Sequence, residues 1–192
     1  MNNIVCEFVN PKDLVLDEAE LAKRLQTPYP SEDKKVYDCT ERILNACKPR
    51  YCYAKTSVLL NDEECDLGFM RVKSVSLARF LKGCKGAYVL AFTLGIEADR
   101  LINTLGITSK AESFITDAVS SALAEAGMEY VCALLEGELT GRFSAGYGDF
   151  VLSNQSKILD YLNADKLLGI KLSESCIMTP RKSVTAIIGV KN

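Results

Sequence analysis

The chain has 192 residues, 48% hydrophobic and 25% charged, with 23 basic and 25 acidic side chains and a net charge of −2. This composition is typical of a soluble globular protein, and the mixed charge argues against an electrostatic nucleic-acid surface. The sequence contains no histidine. That excludes Ser-His-Asp and Cys-His nucleophilic systems and most catalytic zinc sites, and it removes the usual lower axial ligand of a corrinoid.

Localisation and domain count follow from equally simple features. The first residues lack the basic and apolar regions of a signal peptide, and the longest apolar run, 87–94, is far shorter than the ~20 residues that span a membrane. We therefore expect a cytoplasmic protein with one domain over residues 1–192 and no membrane partner. The eight cysteines show no ligand-like spacing, so we expect reduced thiols and no metal.

The first third of the chain predicts a strand, two helices and a hairpin. Alternation predicts a strand over 4–9, and Asp17 is placed to cap a helix over 18–25. Prolines then break the chain, and Ser31 is the expected N-cap of a second helix that ends at Pro49. That helix buries a stripe formed by Val36, Cys39, Ile43 and Cys47. Two strands over 51–60 and 67–72, joined by a polar turn at 61–64, predict a hairpin.

The middle of the chain predicts a central strand between helices. Ser74 is placed to cap a helix over 75–81, and the apolar run 87–92 is typical of a strand covered on both faces. Helical spacing resumes over 97–105 and is expected to stop at Gly106.

A long helix is predicted from Ser109 to about residue 136. Its broad face comprises mainly small or apolar residues: Phe114, Ala118, Ser121, Ala122, Glu125, Met128, Glu129 and Cys132. Glu125 interrupts this face, and the pattern alone fits either a solvated glutamate or a functional carboxylate.

The last third predicts a helix capped by Ser153 or Asn154, short strands over 170–173 and 176–178, a polar turn, and a final strand over 183–190. With the earlier elements, this predicts an α+β fold in which helices pack on a twisted, partly antiparallel sheet.

A glycine-rich stretch over 139–149 combines a cation with flexible backbone. Gly146 and Gly148 can adopt positive φ and let a ligand approach the main chain. Arg142 offers planar donors for a carboxylate or phosphate, and Tyr147 offers a ring that suits a purine or ribose edge. The same spacing also fits a plain turn with a surface arginine, because short glycine motifs often occur without a ligand.

The last third of the chain contains three sequence blocks: Arg142-x-x-x-Gly146-Tyr147, Gly169-Ile170-Lys171-Leu172-Ser173-Glu174-Ser175 and Met178-x-Pro180-x-Lys182-Ser183-Val184. In this order and at this spacing they resemble the activation domain of cobalamin-dependent methionine synthase. The resemblance is good from about residue 140 to 190, weaker over the preceding helix and thin before Ser109. In that family, an Arg-x-x-x-Gly-Tyr element binds S-adenosylmethionine, and an Ala-Glu-Ala segment on the helix before it supplies a carboxylate, a position that Glu125 occupies here.

The resemblance implies a ligand site for S-adenosylmethionine and no catalytic side chain. Arg142 would pair with a ligand carboxylate or another ligand oxygen, and Glu125, or Glu129 one turn away, would attract an ammonium or a ribose hydroxyl. The backbone over 145–147 would hydrogen-bond the adenosine. The implied site residues are Arg142, Ser144, Ala145, Gly146, Tyr147 and Glu125.

The same resemblance implies a free-standing reactivation subunit with methyltransferase activity. It would support reductive methylation of cob(II)alamin that a partner chain holds, either a methionine synthase core or another corrinoid protein. A flavodoxin-like protein would supply the electron. Two alternatives stay open: a non-catalytic interaction subunit of a corrinoid methyltransferase that has lost ligand binding, and an S-adenosylmethionine-binding regulator unrelated to corrinoids.

The sequence departs from the family pattern in three places. The Pro-Ala-Cys-Pro run that follows Gly-Tyr is replaced by Gly148-Asp149-Phe150-Val151. The sequence ends at Asn192, before a C-terminal tyrosine that contacts the ligand in that family. No equivalent of an N-terminal aspartate near the ligand is evident. These departures imply weaker binding or completion of the site by a partner.

Overall fold

The structure, a computed structural model, describes residues 3–28, 30–61 and 64–191. The helices in this part of the chain are α1 (Glu18–Leu25), α2 (Lys34–Ala46), α3 (Val75–Phe80), α4 (Ile96–Thr108), α5 (Lys110–Leu134), α6 (Gln155–Tyr161) and α7 (Ala164–Leu168). The strands are β1 (Val5–Phe8), β2 (Arg50–Ser57), β3 (Leu59–Leu60), β4 (Glu64–Asp66), β5 (Arg71–Lys73), β6 (Gly86–Thr93), β7 (Glu138–Leu139), β8 (Lys171–Leu172), β9 (Met178–Thr179) and β10 (Ser183–Lys191).

Five strands form the central sheet in the order β1-β2-β6-β10-β7, and each neighbouring pair is antiparallel. β6 lies in the middle and is buried from Ala87 to Thr93, as its continuous apolar run predicts. Its side chains alternate between two hydrophobic cores, one on each face of the sheet.

Helices cover both faces of this sheet. Helices α1, α2, α4 and α5 pack on the face that carries Tyr88, Leu90 and Phe92. Helices α3, α6 and α7 pack on the opposite face, together with the small sheet β3-β4-β5. The architecture is therefore α+β, which confirms the predicted class, and the central sheet is antiparallel throughout rather than in part.

Helix α5 lies very close to the central strand. Ser109 caps it, as predicted, by accepting a hydrogen bond from Glu112 N at 3.3 Å. A Cβ added to Gly127 would lie 2.0 Å from Cζ of Phe92, so only glycine fits at this contact. Phe114, which the sequence places on the broad apolar face of this helix, is 59% exposed, and the buried residues of α5 begin two positions later at Thr116.

The start of α2 differs from the prediction. Asp33 is the N-cap instead of Ser31, and its carboxylate accepts hydrogen bonds from Lys35 N at 2.7 Å and Val36 N at 3.4 Å. Pro30–Glu32 forms a separate 3-10 turn, so α2 begins only at Lys34. The predicted stripe is buried along the helix, at Val36, Cys39, Ile43 and Cys47.

The predicted hairpin between 51–60 and 67–72 is wrong. Strand β2 pairs with β1 and β6, and β3 belongs to the small sheet instead. The apolar residues Leu67 and Met70 form the turn between β4 and β5, where their side chains reach the core without strand geometry. Asp62 and Glu63 of the predicted turn lie outside the described residues.

Two later predictions also need correction. Helix α4 continues through Gly106 to Thr108, because its pairing with α5, including Ser113 Oγ to Ile102 O at 2.9 Å, outweighs the weak helix preference of glycine. Helix α7 and strand β7 were not predicted, since five and two residues carry no detectable periodicity.

Candidate functional site

A groove opens between α1, α5 and the chain that follows β7. It has a volume of about 360 Å³, which is within the range of small-molecule sites. Glu125 and Glu129 reach it from adjacent turns of α5, and Arg142 reaches it from beyond the sheet edge. Its lining comprises Val15, Asp17, Glu20, Arg24, Ala122, Glu125, Ala126, Glu129 and Arg142.

Arg142 bridges the two glutamates of α5. Its Nη2 lies 2.9 Å from Glu125 Oε2 and 3.1 Å from Glu129 Oε1. Within residues 3–28, 30–61 and 64–191, neither Nε nor Nη1 of Arg142 has a hydrogen-bond partner. The pairing therefore fixes the guanidinium and leaves the Nε and Nη1 donors available to an anionic group.

The charge of the groove is negative. Four carboxylates (Asp17, Glu20, Glu125 and Glu129) and two guanidiniums (Arg24 and Arg142) line it, which gives a net charge of −2. A ligand that carries both a carboxylate and an excess of positive charge is complementary to this arrangement.

Helix α1 supplies a wall of the groove that the sequence did not reveal. Asp17 was predicted only as a helix cap, and its Oδ1 does accept from Ala19 N at 2.9 Å and Glu20 N at 3.2 Å. Glu20 and Arg24 form an ion pair at 2.8 Å beside it. The cap was readable from sequence, but the packing of α1 against α5, which brings these side chains to the groove, was not.

The predicted site residues separate at the sheet edge. Arg142 points towards α5, whereas the next residue, Phe143, forms a β-bridge with Ile187 and packs on the opposite core. Tyr147 contacts the Phe143 ring edge-on at 5.7 Å and is 56% exposed. The structure thus brings Arg142 and Glu125 together in the groove and places Tyr147 outside its lining.

The loop between these residues is closed by its own hydrogen bonds. Gly146, at a φ of +97°, donates to Phe150 O at 2.7 Å, and Tyr147 N donates to Ser144 O at 3.1 Å. Ser144 Oγ donates to Thr185 O at 2.8 Å, and Ala145 is buried. In the described chain, the carbonyls of Ala145 and Gly146 accept no hydrogen bond, so the loop presents acceptors, which suit a donor such as an adenine amino group.

The two motif blocks after the loop have structural roles here. Lys182 is largely buried, and its Nζ lies 2.8 Å from Asp117 Oδ1 and 2.8 Å from Ser121 Oγ, so it ties the start of β10 to α5. Ser173 and Ser175 bond each other at 3.0 Å within the turn that joins β8 to β9. Neither block contributes to the lining of the groove.

The described residues form neither a membrane-spanning helix nor a metal-binding cluster. No helix there is long and apolar enough to cross a membrane. No cluster of three or more histidine, cysteine, aspartate or glutamate residues that could hold a metal ion occurs there either.

Comparison with known proteins gives a fold relationship. No family model matches the sequence. No curated protein matches it either. The crystal structure of the MetH reactivation domain bound to AdoHcy superposes with a TM-score of 0.72 at 15% identity, over 97% of this chain and 78% of that one. The chain therefore has the fold of the MetH reactivation domain, in agreement with the resemblance found in its motifs.

Proposed function

We propose that the chain binds S-adenosylmethionine across the groove and the adjacent loop, and that it supports the reductive methylation of cobalamin held by another protein. The observation that carries this proposal is the Arg142–Glu125–Glu129 cluster, a fixed guanidinium with unpaired Nε and Nη1 donors in a groove of net charge −2. S-adenosylmethionine has one carboxylate and two positive charges, on its ammonium and its sulfonium, so its charge pattern complements that cluster.

The roles of individual groups follow from their positions. The unpaired donors of Arg142 would bind the ligand carboxylate, and Glu125 and Glu129 would attract the ammonium. The free carbonyls of Ala145 and Gly146 would accept from the adenine amino group, and the exposed ring of Tyr147 would lie against the base or ribose. Ser144 would support the loop through its bond to Thr185.

In this reductive methylation, the chain would only have to hold and orient a methyl donor. The methyl group would pass from sulfur to the reduced cobalt of the partner's cobalamin, leaving S-adenosylhomocysteine, with an electron from a flavodoxin-like donor. Correct positioning is the main contribution that a protein makes to such a transfer. The carboxylates that surround the sulfonium would stabilise it before transfer, and the absence of a histidine leaves cobalt ligation to the partner.

The proposal is tested in two steps. Calorimetric titration with S-adenosylmethionine is expected to give saturable binding to the protein alone. Mixing the protein with a cob(II)alamin-loaded methionine synthase core, reductant and S-adenosylmethionine is then expected to accelerate formation of methylcobalamin. If the ligand binds and the rate is unchanged, the reactivation role is wrong, and a regulator that binds S-adenosylmethionine is favoured instead.

A second candidate function is an interaction subunit that binds no ligand. It is favoured by one observation: Arg142 already has two carboxylate partners, and the amides of Gly146 and Tyr147 are already bonded within the loop. Titration that shows no binding, combined with co-purification with a corrinoid protein, would support this function over the first.

A further inference from the structure

The glycine-rich loop is attached to a helix that lies far from it in sequence. The carboxylate of Asp149 accepts hydrogen bonds from Ser74 Oγ at 2.6 Å, Val75 N at 2.7 Å and Ser76 N at 3.0 Å. These donors form the N-terminus of α3, where amide groups have no partner within the helix. Asp149 therefore caps α3 from outside, while Ser74 caps it from within by accepting from Leu77 N at 3.1 Å.

The contact between loop and helix is close as well as polar. A Cβ added to Gly148, which has a φ of +54°, would lie 2.3 Å from Ser76 Oγ and 2.7 Å from Ser76 Cβ. A glycine is needed there for the main chain to come near enough for the neighbouring Asp149 to reach the helix.

The attachment determines the conformation of the segment between Gly146 and Phe150. Phe150 is fully buried in the core beside α3, and it closes the loop by accepting from Gly146 N at 2.7 Å and donating to Tyr147 O at 3.0 Å. Tyr147 stands exposed at the centre of this closed segment. Its position, and the direction of the Ala145 and Gly146 carbonyls, therefore depend on how residues 149 and 150 are held.

We propose that Asp149 is a positioning residue: by capping α3 it holds the loop in the conformation that presents Tyr147 and the free carbonyls to the ligand. This inference rests on the proposed S-adenosylmethionine site. A loop that is already ordered before binding loses less conformational entropy when the ligand arrives, so the capping contact contributes to affinity without touching the ligand.

The principal test compares Asp149→Asn with Asp33→Asn. Asp33 is a matched control because its carboxylate also caps a helix, α2, by accepting from two backbone amides. Asn is isosteric with Asp but replaces one charged acceptor by a donor, which opposes the N–H groups of α3. We expect Asp149→Asn to weaken S-adenosylmethionine binding about threefold to tenfold, the scale of one ordinary hydrogen bond, and Asp33→Asn to leave it unchanged.

A second readout distinguishes positioning from general destabilisation. In a Tyr147→Ala background the loop has lost a principal ligand contact, so Asp149→Asn is expected to change affinity less than in the wild-type background, although its effect on stability stays the same. Equal losses of affinity in both backgrounds, or an unchanged affinity in the single variant, would overturn the proposal.

Amide hydrogen exchange separates this inference from the proposed function. Exchange at the Gly146 and Phe150 amides is expected to be about tenfold faster in Asp149→Asn than in wild type, because local opening becomes easier. Unchanged exchange overturns the positioning role even if the wild type binds the ligand. If the wild type binds no S-adenosylmethionine, the proposed function is wrong, and so is the role of Asp149 in presenting the loop to that ligand. Faster exchange in Asp149→Asn would in that case show that Asp149 orders the loop for another purpose.

A milder variant covers the case in which Asp149→Asn does not fold. Ser74→Ala keeps the Asp149 carboxylate and its two amide bonds, and it removes the 2.6 Å contact together with the 3.1 Å bond that Leu77 N donates to Ser74 Oγ. It is expected to change affinity and loop exchange in the same direction by a smaller factor, and no change in either would count against the proposal.

Discussion

Arg142 Nη2 and Glu125 Oε2 lie 2.9 Å apart, so the cation of the loop is paired with a carboxylate of α5. The pair joins the segment after β7 to the helix that covers the sheet. Nε and Nη1 of Arg142 have no hydrogen-bond partner in the described residues, so the ion pair leaves the guanidinium donors that an anionic group could use.

The first prediction concerns Arg142. Arg142→Ala is expected to weaken S-adenosylmethionine binding by about 1.5–3 kcal/mol, the range of a hydrogen bond to a charged group. Arg142→Lys is expected to lose part of this, because an ammonium cannot bond Glu125 and a ligand carboxylate with fixed planar geometry. Calorimetric titration measures both. Arg100→Ala is the control, since Arg100 has a comparable 2.7 Å pair with Glu97 and lies outside the groove. Equal affinity in wild type and Arg142→Ala would remove this arginine from the site.

The second prediction concerns discrimination by charge. S-adenosylmethionine has a sulfonium that S-adenosylhomocysteine lacks, so Glu129→Gln is expected to weaken binding of the first ligand more than of the second. Because Glu129 is exposed, the difference should be small, severalfold at most, and should shrink as salt is added. Titration of both ligands at two ionic strengths measures it. Glu174→Gln, which lies outside the groove, is the control and should leave the ratio of the two affinities unchanged. If Glu129→Gln also leaves this ratio unchanged, the groove does not distinguish the sulfonium.

The third prediction compares two glycines at positive φ. Gly83→Ala, at a φ of +82° with open space around it, is expected to cost about 1–2 kcal/mol for the backbone conformation alone. Gly148→Ala is expected to cost about 1–3 kcal/mol more, because the new Cβ overlaps Ser76. Urea unfolding gives both values. The same loss in both variants would mean that the loop does not contact α3 in solution.

The fourth prediction uses two helical glycines in the same way. Gly106→Ala in α4 meets only Ser113 Oγ at 3.5 Å and should stabilise the protein by about 0.5–1 kcal/mol through helix propensity. Gly127→Ala in α5 should instead destabilise it by at least about 1 kcal/mol, since the methyl group overlaps the buried Phe92 ring. Thermal unfolding of the two variants provides the comparison. Stabilisation by Gly127→Ala would contradict the close packing of α5 on β6.

The fifth prediction is a pH dependence. The hydrogen bond from Ser74, followed by those from the Ser76 and Val75 amides, holds the pKa of Asp149 well below its ordinary value of 3.8. A carboxylate with a lowered pKa in the folded state stabilises the fold above its ordinary pKa and loses that contribution as pH falls. The difference in urea midpoint between wild type and Asp149→Asn should therefore be full at pH 7 and narrow below about pH 4. A difference that is constant with pH would show that the charge of Asp149 does not matter.

Local signals in the sequence were sufficient for much of the fold. The cap residues Asp17, Ser74 and Ser109 and the apolar run of β6 each depend on a few neighbouring residues, and the structure has them as predicted. Partner choice depends on the whole chain, and there the prediction failed. No residue close to β2 in sequence indicates that β2 pairs with β1 and β6. Local patterns therefore predict residues 67–72 as its partner, which is wrong.

The same distinction between local signals and long-range packing applies to the candidate site. Arg142 and Glu125 were readable through the resemblance, because they match the family's Arg-x-x-x-Gly-Tyr and Ala-Glu-Ala segments. Glu20 and Arg24 were not, since they reach the groove only through the packing of α1 on α5. In the sequence, Asp149 stands out only because it lies where the family has its Pro-Ala-Cys-Pro run. Its contact with Ser74 joins two segments that are distant in sequence, and no local pattern connects them.

The opposite orientations of Arg142 and Phe143 have a mechanical consequence. A small molecule that contacts both Arg142 and Tyr147 would bind groups that are held on opposite faces of the sheet, one by α5 and the other by Phe143. It would therefore link the two layers of the protein across the edge of the sheet. Neither layer can then unfold without releasing it. Ligand saturation should raise the melting temperature in a single transition, by an amount that grows with the logarithm of ligand concentration, so the protein's resistance to heat would follow the supply of that ligand.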